Sequence, residues 1–168
     1  MNWEAIGAIG EIVGASGIVI SLLYLAVQIR ADAKAKRAAA VHDQVEAFRG
    51  FLHTLATDGE LSAIYLRGIR EFSSVRDAEL VRFTSTIGYL FRVYEEAHFL
   101  WKEGNLDPHV WHGFEMPVKE MLAYAGVRDW WSTRCHWYNQ LFREFIDAKI
   151  VESGAPKLYG EVTGRGDR

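Results

Sequence analysis

The chain has 168 residues, a formal net charge of −3 and hydrophobic residues at 49%. Such a balance argues against general nucleic-acid binding, which needs a basic surface, and the length allows one ordinary domain beyond a membrane segment. The lone Cys135 cannot close an intrachain disulfide, which is compatible with a reducing cytoplasm.

From Ala5 to Ile29 the only side chain charged at neutral pH is Glu11, and Arg30, Lys34, Lys36 and Arg37 follow at once. As a helix this run measures roughly 37 Å, enough to cross a hydrocarbon core of about 30 Å with some tilt. A cleaved signal peptide is the rival, but no basic residue precedes the apolar run, which is also too long for one. A retained transmembrane helix is therefore expected, with the lipid bilayer as its first partner. Four basic residues against Asp32 leave +3 just after the span, while Glu4 lies before it. Lys and Arg favour the cytoplasmic side, which places the amino terminus outside and the rest of the chain in the cytoplasm. Trp3 fits an anchor at the lipid–water boundary.

At about 100° per residue, Gly7, Gly10, Gly14 and Gly17 fall within an arc of about 80°. Ser21 and Gln28 extend that face, and Leu25 joins it, while Ile9, Ile12, Val13, Ile20, Leu23 and Val27 lie opposite. Glycine lets helix backbones approach closely, and Gly10-x-x-x-Gly14 has the spacing of packed membrane helices. The four glycines are the expected helix-packing residues, and Glu11, Ser21 and Gln28 the intramembrane polar ones. A carboxylate at the depth of Glu11 is costly unless neutral, paired or hydrated. Three roles fit it: a hydrogen bond between helices, the lining of an aqueous path in an oligomer, or a side chain reaching back to the near interface.

No proline or glycine interrupts the chain from there until Gly50, and Val41, Val45, Phe48, Leu52 and Leu55 keep helical spacing, so the span is expected to continue as a cytoplasmic helix to Ala56. A turn at Thr57-Asp58-Gly59 leads to a shorter helix bearing Leu61, Ile64, Tyr65, Ile69 and Phe72. Ser74-Val75-Arg76-Asp77 has the form of a capping box with Asp in place of Glu or Gln. It opens a helix to about Glu103 with the stripe Leu80, Phe83, Ile87, Phe91, Tyr94, His98 and Trp101. Gly104-Asn105 ends that helix, and Asp107 caps the next with Pro108 at its first position. Gly126 marks a further boundary, and Asn139 caps a last helix carrying Phe142, Phe145, Ile146 and Ile150. From Glu152 onward repeated glycines break the periodicity. No segment alternates with period two.

Six tryptophans, seven tyrosines and nine phenylalanines suit a small bundle that closes its core with large side chains, more than an aromatic ligand cage. Glu95-Glu96-Ala97-His98 contains the Glu-x-x-His spacing of carboxylate-bridged di-iron bundles, but no second copy exists, and His98 lies on the apolar stripe. His109 and His112 lack a cysteine partner at zinc spacing. Ser132, Cys135 and His136 lack an orienting third group. Arg128 and Arg134 sit beside Trp130 and Trp131 and are candidates for ring stacking, anion binding or surface ion pairs. No nucleophile elbow, phosphate-binding loop or dinucleotide fingerprint is present, so no cofactor, metal or catalytic residue is assigned.

Residues Glu11 to Ala15 and Ser21 to Arg30, with Gly126-Val127-Arg128-Asp129-Trp130-Trp131 and the later Phe142 and Phe145, resemble an uncharacterised family of small bacterial membrane proteins over about residues 2–150. The resemblance implies a bacterial source and makes Glu11 and Gln28 part of a pattern; it implies no particular activity.

The expected fold is all-α, one N-terminal transmembrane helix continuing into a cytoplasmic helical bundle. Residues 1–30 form the span, 31–151 the helical domain and 152–168 a flexible tail. The expected function is non-enzymatic: a single-pass protein of the bacterial inner membrane that self-associates through its glycine face, as a scaffold or ion-conducting pore. An accessory subunit of a larger membrane complex is the first alternative. A metal-dependent enzyme centred on Glu95 and His98 is the second.

Overall fold

The computed structural model describes residues 3–152 and 154, without the side chains of residues 3–10, 12, 13 and 15. All regular structure among the described residues is helical. Helix α1 spans Trp3–Thr57, α2 Gly59–Arg70, α3 Asp77–Lys102, α4 Pro108–Leu122, α5 Ala125–Arg134 and α6 Gln140–Glu152. Short 3-10 turns lie at Phe72–Ser74 and Cys135–Trp137. The proposed tail lies outside the described residues, apart from Glu152 in α6 and Gly154.

Two compact units divide the chain, Met1–Ala39 and Ala40–Arg168, and their boundary falls within α1. In the first unit every described side chain is exposed. These include Ile20, Leu22 and Leu23 at 60–66% and Tyr24 at 69%. By length and composition α1 is apolar enough to cross a membrane.

The second unit packs the last third of α1 with α2–α6 around an aromatic core. Val41, Phe48 and Leu55 of α1 reach that core as their spacing predicts. Phe51, however, takes the buried place expected of Leu52, which stays 44% exposed. Large side chains supply most of the burial. Phe83, Phe91, Trp130 and Phe142 are fully enclosed, each removing much apolar area from water.

Local signals set most helix ends. Asp58 sits extended between α1 and α2, and its Oδ1 accepts from the Leu61 N–H at 2.9 Å. Asp107 accepts from the His109 N–H at 2.8 Å with Pro108 at the first helical position. Asn139 Oδ1 accepts from the Phe142 N–H at 2.9 Å. At the end of α3, Gly104 adopts φ +69°, a left-handed conformation that glycine takes without a Cβ penalty. Its N–H reaches the Trp101 carbonyl, and the Asn105 N–H reaches that of Leu100, closing a Schellman motif.

Two expectations need correction. Ser74 is not the cap of α3: its Oγ donates to the Glu71 carbonyl inside the 3-10 turn. The chain runs extended through Val75 and Arg76, and α3 starts only at Asp77, with φ +50°. The boundary expected at Gly126 falls two residues earlier, at Ala123–Tyr124 between α4 and α5, and Gly126 itself is buried in the first turn of α5. A methyl group there would collide with the Gly68 carbonyl oxygen and lie 2.8 Å from that of Ile69. The glycine is needed because α5 meets the end of α2 backbone to backbone.

Candidate functional site

The residues expected to pack helices or to lie within the membrane all fall on α1. The surroundings of Gly7 and Gly10 are outside the described side chains. Glu11, Gly14, Gly17, Ser21 and Gln28 are exposed. Around Gly14 and Gly17 the space where a Cβ would stand is open to 4 Å. The Ser21 hydroxyl donates to the Gly17 carbonyl at 2.8 Å, so its donor is used within the helix and its lone pairs remain for a partner. Helical geometry places Gly14, Gly17, Ser21 and Gln28 within about 60° of one another. This face presents small side chains, a hydroxyl and an amide, and no described residue packs against Gly14 or Gly17.

In the second unit the Glu-x-x-His pair is engaged structurally. Glu95 Oε1 accepts from both the backbone N–H of Asn139 at 2.7 Å and its side-chain amide at 2.8 Å. Its Oε2 pairs with Arg92 at 2.5 Å. Arg92 also donates to the Trp137 carbonyl at 2.8 Å and lies 4.4 Å from the Tyr138 ring centroid. One carboxylate thus fixes the chain entering α6 against α3, while Asn139 caps α6. Burial pushes the Tyr138 hydroxyl up to about 12, against the opposing influence of Arg92.

His98 is 2% exposed. Its ring is surrounded by Phe145 at 4.8 Å, Trp111 at 5.5 Å, and Trp101 and Phe142 at 5.8 Å. Burial lowers its pKa from 6.5 to about 4, helped by the Lys102 charge, so the imidazole is neutral at pH 7. Among the described residues no cluster of three His, Cys, Asp or Glu side chains could hold a metal ion.

The remaining polar candidates also have internal roles. Arg128 donates to the Leu122 and Ala123 carbonyls at 2.9 and 2.7 Å, closing the C-terminal end of α4. Arg134 stacks 5.0 Å from the Trp137 ring centroid. Cys135 Sγ faces the Ser132 carbonyl at 4.0 Å. A cleft of 430 Å³ between α1 and α3 is lined by Gly50, Phe51, Thr54, Ser85, Thr86 and Tyr89. The hydroxyls of Thr54, Thr86 and Tyr89 all donate to backbone carbonyls, and no carboxylate, histidine or cysteine lines it.

Sequence reasoning missed the roles of Glu95 and Arg128. Asn139 is the one accessible clue to the first, since a capping residue leaves its own N–H and amide needing an acceptor. Comparisons with protein families, curated proteins and solved structures returned no match.

Proposed function

We propose that this chain is a non-enzymatic, single-pass protein of the bacterial inner membrane, with its amino terminus outside and its helical domain in the cytoplasm. It self-associates through the glycine face of α1. The observation that carries this reading is the conjunction on α1 of an exposed apolar run with an open small-residue face. In water, the exposure of Ile18 to Ile29 would be a large uncompensated apolar surface; in a bilayer it is matched to its solvent. The open space at Gly14 and Gly17 would let a second helix approach at backbone distance. The bacterial source rests on the sequence resemblance, and the orientation on the +3 flank after the span.

The mass of the native particle in mild detergent tests the reading, with Gly14→Leu beside the wild type. A discrete homo-oligomer that Gly14→Leu reduces to monomer is expected. A wild-type monomer at all concentrations would overturn self-association. A particle containing other proteins would replace it with the accessory-subunit reading. If the oligomer is an ion pore lined by Glu11, Ser21 and Gln28, Glu11→Ala will change ion flux through reconstituted vesicles; unchanged flux leaves a scaffold.

A further inference from the structure

From Gly14, counting about 100° per residue, Ser21, Gln28 and Asp32 stay within about 40°, and Lys36 lies about 40° to the other side. Arg30, Lys34 and Arg37 fall about 140–200° away, on the opposite face. Leu23 and Val27, 63% and 66% exposed, occupy that same opposite face just before them. An apolar ridge therefore runs directly into a basic one, while the glycine face ends in one acid and one base. Arg30, Lys34 and Arg37 are exposed, and none forms an ion pair with another described residue.

We propose that Arg30, Lys34 and Arg37 form a binding ridge for the phosphates of anionic phospholipids, on the side of α1 turned away from the glycine face. The inference rests on the membrane reading and names the lipid class that this helix contacts. Arg30 and Lys34 are separated by a rise of about 6 Å, within the depth of one leaflet's headgroup layer. Arg37 stands one turn further on, and its long side chain can reach back to the same layer. Three cations without an internal partner, continuous with the lipid-facing ridge, match a surface of like-spaced phosphates. Their placement also keeps them out of an interface through Gly14, where three cations per copy would repel. Asp32 and Lys36, which do fall on that side, carry opposite charges.

The test uses the full chain in mild detergent, titrated with phosphatidylglycerol or with phosphatidylcholine of the same acyl chains, and bound lipids are counted by native mass spectrometry. At low salt the wild type should bind phosphatidylglycerol at least about tenfold more tightly, and the preference should shrink as salt rises. The triple variant Arg30→Gln/Lys34→Gln/Arg37→Gln should lose the preference, and Lys36→Gln should keep it. Equal binding of the two lipids by the wild type would overturn the proposal, as would a preference that survives in the triple variant or is equally lost in Lys36→Gln. Flotation with phosphatidylcholine vesicles after carbonate washing separates the two levels. If the wild type fails to float, the membrane reading falls and the lipid proposal with it. If it floats but shows no phosphatidylglycerol preference, the lipid proposal falls alone.

Discussion

The two units of this chain use glycine and large apolar side chains in opposite ways. In Met1–Ala39, the described large apolar side chains from Ile18 to Ile29 are exposed and Gly14 has open space beside it. In Ala40–Arg168, Phe83, Phe91, Trp130 and Phe142 are enclosed and Gly126 stands against the backbone of Gly68 and Ile69. The difference lies in the surroundings rather than in the residue types. The second unit closes Gly68 and Gly126 against its own helices, while Gly14 and Gly17 of the first stand open. Under the proposed membrane reading, lipid would cover the apolar surface of the first unit as protein covers that of the second.

The sharpest way to break that comparison is to add one methyl group to each kind of glycine. Gly126→Ala should destabilise the helical domain by about 3 kcal/mol or more, because the obstacle is backbone that cannot rotate away. Urea unfolding of the full chain in mild detergent, followed by tryptophan emission, measures it; an unchanged midpoint would refute the close contact.

The next largest effect is acid sensitivity of the second unit. His98 is held neutral, with its pKa lowered from 6.5 to about 4. The unfolded chain takes up a proton below about pH 6.5 while the folded chain resists until about pH 4. Stability contributed by the neutral ring is thus complete above pH 6.5 and declines as pH falls through that window. Between pH 7 and pH 5 the loss should be about 2 kcal/mol. His98→Leu should flatten this part of the pH profile, and an equally steep profile in the variant would assign the loss to other groups.

Glu95→Gln keeps the shape of the side chain but removes the charge that pairs with Arg92 and strengthens two bonds from Asn139. A cost of about 1–2 kcal/mol is expected by the same unfolding assay. Manganese or iron added to the wild type should leave the midpoint in place; a rise would point to a metal site instead of a structural anchor. Smallest of all, Gly14→Ala should leave the unfolding midpoint of the domain within about 0.5 kcal/mol of the wild type, since no described residue meets the added methyl. A larger shift would show that the first unit is not independent of the second.

Helix ends defined by short-range chemistry were legible in the sequence. Asp107-Pro108, Gly104-Asn105 and Asn139 each act through atoms only a few residues away, so the local pattern carries the whole cause. The periodic stripe of α3 was legible for a related reason: Phe83, Ile87, Phe91, Tyr94 and His98 share a face whatever packs against it. Ser74 misled because a hydroxyl four residues after a helix can serve the preceding turn as well as the following one, and the Glu71 carbonyl takes it. Gly126 and Glu95 were opaque for a different reason. Their partners, Gly68 and Asn139, are distant in sequence, and only tertiary packing brings them together. The same spacing in Glu95 and His98 that suits a metal site also suits one carboxylate at a helix junction and one ring in a core. Of the candidate face on α1, the sequence supplies the angular arrangement, and the structure adds that Gly14, Gly17, Ser21 and Gln28 stand uncovered.

Trp101 and Trp111 lie nearly parallel, with ring centroids 5.1 Å apart and an interplanar angle of 11°, and both adjoin His98. At that separation the electronic transitions of the two indoles couple, so the pair is a built-in chromophore for near-ultraviolet circular dichroism. Protonated imidazole quenches indole emission more effectively than the neutral ring. The junction of α3 and α4 therefore carries its own optical reporter, able to follow acidification without any attached dye.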